Sequence, residues 1–488
     1  MKTKTYLFTL GLFIVQFSAM AQSKIKIACI GASITYGATI ENREQNSYPA
    51  QLQKMLGDNY QVTNYGVSGT TLIKKGDSPY WNTNEYRSAL AANPDVVIID
   101  LGGNDSKLIN RIHLDEYERD YHEFIHSFTR LPSHPRVVLL LAMPSFVKDT
   151  SGIWDPVIVK QVNPHIQQVA FEDKVEVIDM HSPFVDKEAI TPDKIHPNKE
   201  GAAIMAQTIY ENISQKKDPA FNIFQNIKTE YKVSSFYGYD CADFKLDGRD
   251  CKVVKPKWSA PGHPWIWRAR FWGHEPQTDI SLLQRGFHLV YCDVAELLGN
   301  DESIKYWNNF YNLLSKAGLG KKAVMEGMSR GAVYVFNWAA VNTGKVACVY
   351  VDNPLLNIPS WAEGFMKTPA EKNDMFDAFK KDYNLTTDEQ IRKFTGSPAD
   401  KVREIVKGKY PILVLCADED EAVSPEENTL LFEKRIKALN GNITVIHKPG
   451  FKHHPHSLPN PKPITDFILK ATGDFKTVKG KSHTLFNK

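Results

Sequence analysis

Short apolar runs alternate with helix-period segments through the first part of the chain. Ile25 to Ile30 is apolar and stops at Gly31-Ala32-Ser33. Tyr48 to Leu56 has Leu52 and Leu56 four apart, on one helical face. Gln61 to Tyr65 reads as a strand that ends in Gly66-Val67-Ser68-Gly69. Asp95 to Leu101 is an apolar run that meets Gly102-Gly103-Asn104-Asp105. Tyr117 to Phe128 reads as a helix, and Arg136 to Ala142 and Val175 to Asp179 as further strands. Strands separated by helices imply βαβ units, a parallel sheet and helices on both faces: an α/β fold. In such sheets ligands gather at the carboxyl ends of the strands, which is where these polar segments fall.

The pattern breaks at Ser214-Gln215-Lys216-Lys217-Asp218-Pro219, a polar, Pro-containing stretch that reads as part of a linker over 214–221. It then restarts. Thr229 to Pro256 reads as strands and hairpins, and Pro264 to Trp272 alternates like a strand. Phe287 to Cys292 is another strand and Asp301 to Ala317 a helix. Ala323 to Met328 leads through Ser329 into a helical pattern ending near Ala340. Ile412 to Cys416 and Ile443 to Ile446 are further strands. The tryptophans Trp258, Trp265, Trp267 and Trp272 invite a sugar-stacking role. On a strand, however, Trp265 and Trp267 share one face, which favours the core.

With 488 residues and 42% hydrophobic content, the chain has room for two or three domains with real cores. Lys2 and Lys4, the apolar run Tyr6 to Val15 and then Ala19-Met20-Ala21 read as a signal peptide over 1–21, too short to span a membrane. The expectation is a secreted or periplasmic protein. Cleavage would lower the net charge from +3 to +1, which leaves no electrostatic case for nucleic acid or an anionic membrane. Of the six cysteines, Cys29, Cys292, Cys348 and Cys416 lie in apolar strand-like runs and read as buried thiols. Cys241 and Cys251 flank a hairpin-like segment with Asp247-Gly248 at its turn. Export permits a disulfide between them and the short spacing predicts one. Two free thiols are the alternative, because bridging needs specific geometry.

Chemistry concentrates at the strand ends. Ser33 follows the first strand, so its own N–H lies beside its hydroxyl. Gly69 offers a backbone N–H and Asn104 a side-chain amide, which with Ser33 N–H would make a three-donor oxyanion hole. Asp193 precedes His196 by three residues, so one segment supplies a base and its orienting carboxylate. The plainer reading of that pair is a helix N-cap and a surface histidine. In the second half, Gly327-Met328-Ser329-Arg330-Gly331 is Gly-x-Ser-x-Gly between a strand and a helix, the setting a nucleophile elbow requires. The N–H of Arg330 and the helix dipole face the same spot.

The blocks Gly31-Ala32-Ser33-Ile34-Thr35, Asn64-Tyr65-Gly66-Val67-Ser68-Gly69, Gly102-Gly103-Asn104-Asp105 and Asp193-Lys194-Ile195-His196-Pro197 stand in the order of the SGNH, or GDSL-type, hydrolases. The resemblance covers roughly 24–213, within an expected domain over 22–213. It implies a flavodoxin-like three-layer α/β/α sandwich, Ser33 as nucleophile, His196 as base and Asp193 behind it. It also implies Gly69 and Asn104 as oxyanion donors and chemistry without metal or cofactor. Ala32 stands where many members carry Asp, a position outside the chemistry. Residues 222–475 resemble the α/β-hydrolase superfamily, whose order is Ser, acid, His. Ser329, then Asp420, then His453 match it, with Asp418 the second candidate acid and His454 and His456 neighbouring histidines; a metal site built from the three histidines is the competing reading. No His-Gly-Gly-Gly stretch is present, so the segment after the Trp265–Trp272 strand would have to supply the other oxyanion donor. The pairing resembles two-domain carbohydrate esterases that include xyloglucan acetylesterases. The expected function is hydrolysis of O-acetyl esters on an oligosaccharide or polysaccharide. The alternatives are a lipid or thioester hydrolase and a glycan-binding protein with an idle hydrolase domain. Residues 476–488 read as a tail.

Overall fold

The computed structural model of the protein describes residues 23–361 and 373–473. The expected leader and the tail at 476–488 lie outside the described residues. The first sheet comprises β1 (Ile25–Gly31), β2 (Tyr60–Gly66), β3 (Val96–Asp100), β4 (Arg136–Leu140) and β5 (Glu176–Ile178). All pairings are parallel, in the order β2-β1-β3-β4-β5. Alternate side chains of β1 and β3 go to opposite faces, as the strand period requires. Ile27, Cys29, Val96 and Ile98 pack with Leu52 of helix Tyr48–Leu56 and Met205 and Ile209 of helix Lys199–Ile213. Ala28, Ile30, Val97 and Ile99 pack with Phe124 of helix Tyr117–Thr129 and Ile166 of helix Asn163–Glu172. This is the expected three-layer sandwich. Strand order reverses between β1 and β3, so the segments after these strands flank the crevice where such sheets bind ligands.

The second sheet comprises β6 (Lys232–Phe236), β7 (Tyr239–Leu246), β8 (Arg249–Val254), β9 (Trp265–Ala269) and β10 (His288–Cys292). It continues with β11 (Ala323–Met328), β12 (Val346–Asp352), β13 (Ile412–Ala417) and β14 (Ile443–Lys448). The order is β14-β13-β12-β11-β9-β10-β8-β7-β6. Strands β9 to β14 pair in parallel with one another, and β6, β7 and β8 add an antiparallel edge beside β10. Strand β12 is the strand-like run expected around Cys348. Trp265 and Trp267 are fully buried and stack near Trp307, Trp338 and Tyr311, as the core reading expects. Trp258 is exposed and its indole donates to Glu176 at 3.0 Å.

The expected hairpin is present, but its disulfide is not. Asp247 and Gly248 both have positive φ, the mark of a two-residue primed turn. That turn sets Cys241 opposite Val254 and Cys251 opposite Phe244. An offset of three positions puts the two thiols on opposite faces of the sheet, in different cores, so they are not joined to each other.

The two sheets are not tethered loosely. Val177, Val169 and Ala170 share one apolar cluster with Phe236, Tyr239, Cys241 and Leu283. Tyr239 donates to the Val177 carbonyl at 3.2 Å, Lys174 pairs with Asp240 at 2.7 Å, and Arg285 pairs with Glu211 at 2.8 Å. No helix among the described residues is long and apolar enough to cross a membrane. Tyr239 is fully buried at this junction. Tyr239→Ala is expected to lower the unfolding free energy by about 3 kcal/mol through the cavity it leaves, measured by urea denaturation of the whole chain.

Candidate active sites

Ser33 lies at the start of the short helix Ser33–Tyr36, directly after β1. Four anchors seat that helix. Asn64 Nδ2 donates to the Thr35 carbonyl at 2.8 Å while its Oδ1 accepts from Gly66 N–H at 2.8 Å. Thr35 Oγ1 donates to Asp100 Oδ2 at 2.9 Å and lies 3.1 Å from Tyr48 Oη. Gly66 must be glycine, since a Cβ there would sit 2.2 Å from Tyr36 N. Val67 N–H donates to the Gly31 carbonyl at 3.0 Å, which brings the turn carrying Gly69 beside the turn carrying Ser33.

His196 Nε2 is 2.7 Å from Ser33 Oγ, and His196 Nδ1 is 2.6 Å from Asp193 Oδ2. With Nδ1–H donating to the carboxylate, Nε2 is free to accept from the serine hydroxyl. Asp193 Oδ1 also accepts from the N–H of His196 at 2.7 Å and of Ile195 at 3.1 Å. Burial pushes the Asp193 carboxyl up, but these three donors outweigh it and hold it below its ordinary value. The N-cap of the following helix is Asn198, which accepts from Gly201 N–H at 3.0 Å, so the plainer role proposed for Asp193 belongs to Asn198.

Asn104 is buried in the turn after β3, and its Nδ2 donates to the Thr70 carbonyl at 3.0 Å, linking it to the Gly69 turn. An amide has a second hydrogen to offer. Its neighbour Asp105 accepts from the N–H of Leu72 at 3.1 Å and Ile73 at 2.8 Å. Burial lifts Asp105 to about 6 against those hydrogen bonds, and lifts Asp100 to about 6 against the Thr35 hydroxyl. These supporting roles of Asp100, Asp105, Thr35 and Tyr48 were not read from sequence. The position of Asp100, the last residue of buried strand β3, was the available signal.

The second site is assembled differently. Ser329 has a φ of 49° between β11 and helix Gly331–Val341, a strained strand-to-helix turn like that of a nucleophile elbow. Its N–H donates to the Asp352 carbonyl at 2.8 Å and its carbonyl accepts from Leu355 N–H at 3.0 Å. His453 Nε2 is 3.0 Å from Ser329 Oγ, and His453 Nδ1 is 2.7 Å from Asp420 Oδ2. Asp420 is buried and its Oδ1 accepts from Ala422 N–H and Val423 N–H, each at 2.9 Å. Asp418 instead meets His447 at 2.6 Å. His456 is buried 3.5 Å from Asp352, and His454 is exposed. Nitrogen atoms of His453, His454 and His456 do lie within 4.8 Å of one another, but both His453 nitrogens are engaged with Asp420 and Ser329. Asn353, unnoticed in the sequence, ties the site together. Its Nδ2 donates to the His453 carbonyl and its Oδ1 accepts from Ala417 N–H, each at 2.8 Å.

The segment after β9 runs alongside this elbow. A Cβ on Gly331 would meet the Ala269 carbonyl at 2.5 Å. Arg270 and Phe271 follow with φ of 66° and 49°, two strained residues in succession. The buried Arg268 guanidinium fixes this turn. It donates to the carbonyls of Phe271 at 3.3 Å and His274 at 2.9 Å, and pairs with Asp279 at 2.6 Å and Glu326 at 3.2 Å. Burial still raises Glu326 well above the usual carboxylate range, despite Arg268.

Residues 29–204 match the family model of the GDSL-like Lipase/Acylhydrolase family. This segment is a GDSL-like domain. An acetylxylan esterase of Xylanibacter ruminicola is 38% identical over 218 residues, which cover 41% of this chain and 45% of that protein. The chain thus spans about half the length of that curated relative. Among solved structures, Est1E from Butyrivibrio proteoclasticus is 19% identical with a TM-score of 0.36, over 48% of this chain and 99% of that one. An S-formylglutathione hydrolase from Agrobacterium tumefaciens is 13% identical with a TM-score of 0.36, over 50% of this chain and 98% of that one.

The Asp100 anchor gives a pH signature. A carboxyl whose folded value is raised binds its proton more tightly when folded. Its contribution is therefore present at low pH and fades as pH rises from about 4 through about 6. Relative to Asp100→Asn, the wild type should lose on the order of 2 kcal/mol of unfolding free energy between about pH 4 and pH 7. Urea denaturation of both proteins across that range measures the difference.

Proposed function

We propose that the GDSL-like domain is an exported serine esterase that removes O-acetyl groups from a polysaccharide or oligosaccharide of the acetylated-xylan type. The observation that carries this reading is the line of hydrogen bonds from Ser33 through His196 to Asp193, at 2.7 and 2.6 Å. Similarity to an acetylxylan esterase supports the ester class, and the sequence of 1–21 supports export. In this reading Ser33 Oγ attacks the acetyl carbonyl as its proton passes to His196 Nε2. The N–H groups of Ser33 and Gly69 and the Asn104 amide hold the oxyanion. His196 then returns the proton to the departing sugar oxygen. A water, deprotonated by His196, releases acetate from the acyl-enzyme. Asp193 fixes the tautomer and balances the imidazolium that forms. No cofactor or metal enters this scheme.

We read the chain as this domain over 22–213, a joining segment over 214–221 and a second hydrolase domain over 222–475. Ser329, His453 and Asp420 would form an independent ester-cleaving site. Its oxyanion donors would be Arg330 N–H and an N–H of the strained Arg270–Phe271 turn. The 2.7 Å contact to His453 favours Asp420 over Asp418 as its acid.

Ser33→Ala should lower acetate release from acetylated xylo-oligosaccharides by at least about 1,000-fold, because the triad acts as a unit, with the circular dichroism spectrum unchanged. Retention of a tenth of the rate would remove Ser33 from the mechanism. Ser329→Ala should leave that rate intact and abolish cleavage of a different subset in a panel of aryl esters. On that subset, Asp420→Asn should cost on the order of 1,000-fold or more and Asp418→Asn little. If Ser329→Ala changes no rate on any ester, the second half is a binding or structural module.

A further inference from the structure

The cysteine with a partner in reach of Cys251 is Cys292. Strands β8 and β10 run antiparallel, and their register sets Cys251 directly opposite Cys292. Asp293 N–H donates to the Asp250 carbonyl at 2.9 Å, one residue beyond the pair. That bond makes Cys251 and Cys292 a non-hydrogen-bonded cross-strand pair, whose Cα atoms approach to about 4.5 Å. Disulfides span Cα separations of roughly 4.4–6.8 Å, so no backbone movement is required. Both side chains point into the same core and are 1% and 3% exposed. Hydrogen bonding from Cys251, and then burial, pushes the Cys292 thiol up. Cys241 packs on the other face.

We propose that Cys251 and Cys292 are joined by a disulfide formed as the chain folds outside the cytoplasm, a modification that rests on the export reading above. The oxidant is a disulfide-bearing carrier, an oxidoreductase or oxidised glutathione. One cysteine thiolate attacks a carrier sulfur, giving a mixed disulfide and one carrier thiol. The second thiolate attacks the cysteine sulfur of that mixed disulfide and releases the second carrier thiol. The pair loses two electrons and two protons, and the carrier disulfide gains them. Both thiols are sealed once the sheet has closed, so the exchange belongs to folding. The bond closes the loop from 251 to 292, which holds β9 and the Arg270–Phe271 turn beside Ser329.

The test is refolding of the full chain from denaturant in equal parts of reduced and oxidised glutathione, then alkylation and mass mapping of a non-reduced digest. The expected product is the Cys251 peptide joined to the Cys292 peptide. Its reduction should lower the melting temperature by roughly 10 °C, while Cys292→Ser should be indifferent to reductant. Recovery of both cysteines as alkylated thiols, or of Cys251 joined to Cys241, overturns the proposal. The same mapping on protein from the extracytoplasmic fraction of an exporting host separates the two readings. A pair that forms in glutathione but is reduced there overturns oxidation on export while leaving the geometry of the pair standing.

Discussion

One hydrogen bond, between Ser33 and His196, joins positions 163 residues apart, and most of the first sheet's construction serves to hold its two ends. On one side, β1 delivers Ser33 and the helix that begins there is fastened from below. Asp100, Thr35 and Tyr48 form a buried polar chain under it, and Asn64 clamps it from β2. On the other side, Asp193 organises the four-residue segment that carries His196 through three hydrogen bonds of its own. Both ends must be fixed, because a serine hydroxyl is a useful nucleophile only against a positioned base. The buried carboxylates under the site are costly groups, which is why burial lifts Asp100 and Asp105 together.

The second sheet reaches the same geometry by another route. Ser329 is presented by backbone strain, with its N–H locked to the Asp352 carbonyl. The acid comes from 33 residues before the histidine, and its side chain is 2% exposed, against 42% for Asp193. The nearby turn at Arg270 and Phe271 is held by the ion cluster of Arg268, Asp279 and Glu326, which is fully sealed from solvent. A buried charge cluster tolerates few alternatives, because removing one partner strands the others. The two sites thus differ in how each is supported. The acid of the first lies on a local, partly exposed segment, and that of the second is buried and distant in sequence.

That difference also explains what was legible in the sequence. Parallel strands buried on both faces leave near-continuous apolar runs, so β1, β3 and β4 could be read directly. Asp193 and His196 lie in one short segment, and so do the elbow glycines around Ser329. Asn353, Asp352 and Arg268 could not be read, because their partners include groups on other elements that only the assembled fold brings together. The strand-like run around Cys348 is β12, where Val346 to Val351 is apolar apart from its tyrosine hydroxyl. The Asp247-Gly248 turn was read correctly and the disulfide beside it was not. A two-residue turn fixes the register, and with it the offset of three positions between Cys241 and Cys251, an odd number that sends them to opposite faces.

The central claim is that the chain carries two independently assembled serine nucleophiles, Ser33 and Ser329. A fluorophosphonate probe reacts only with a serine activated by a positioned base. Labelling the intact protein and mapping the adducts by mass spectrometry reads both sites in one measurement. The account predicts one adduct on Ser33 and one on Ser329, each lost only when its own histidine, His196 or His453, is replaced. Labelling at only one serine or at neither, or loss of both adducts on replacing a single histidine, would contradict it.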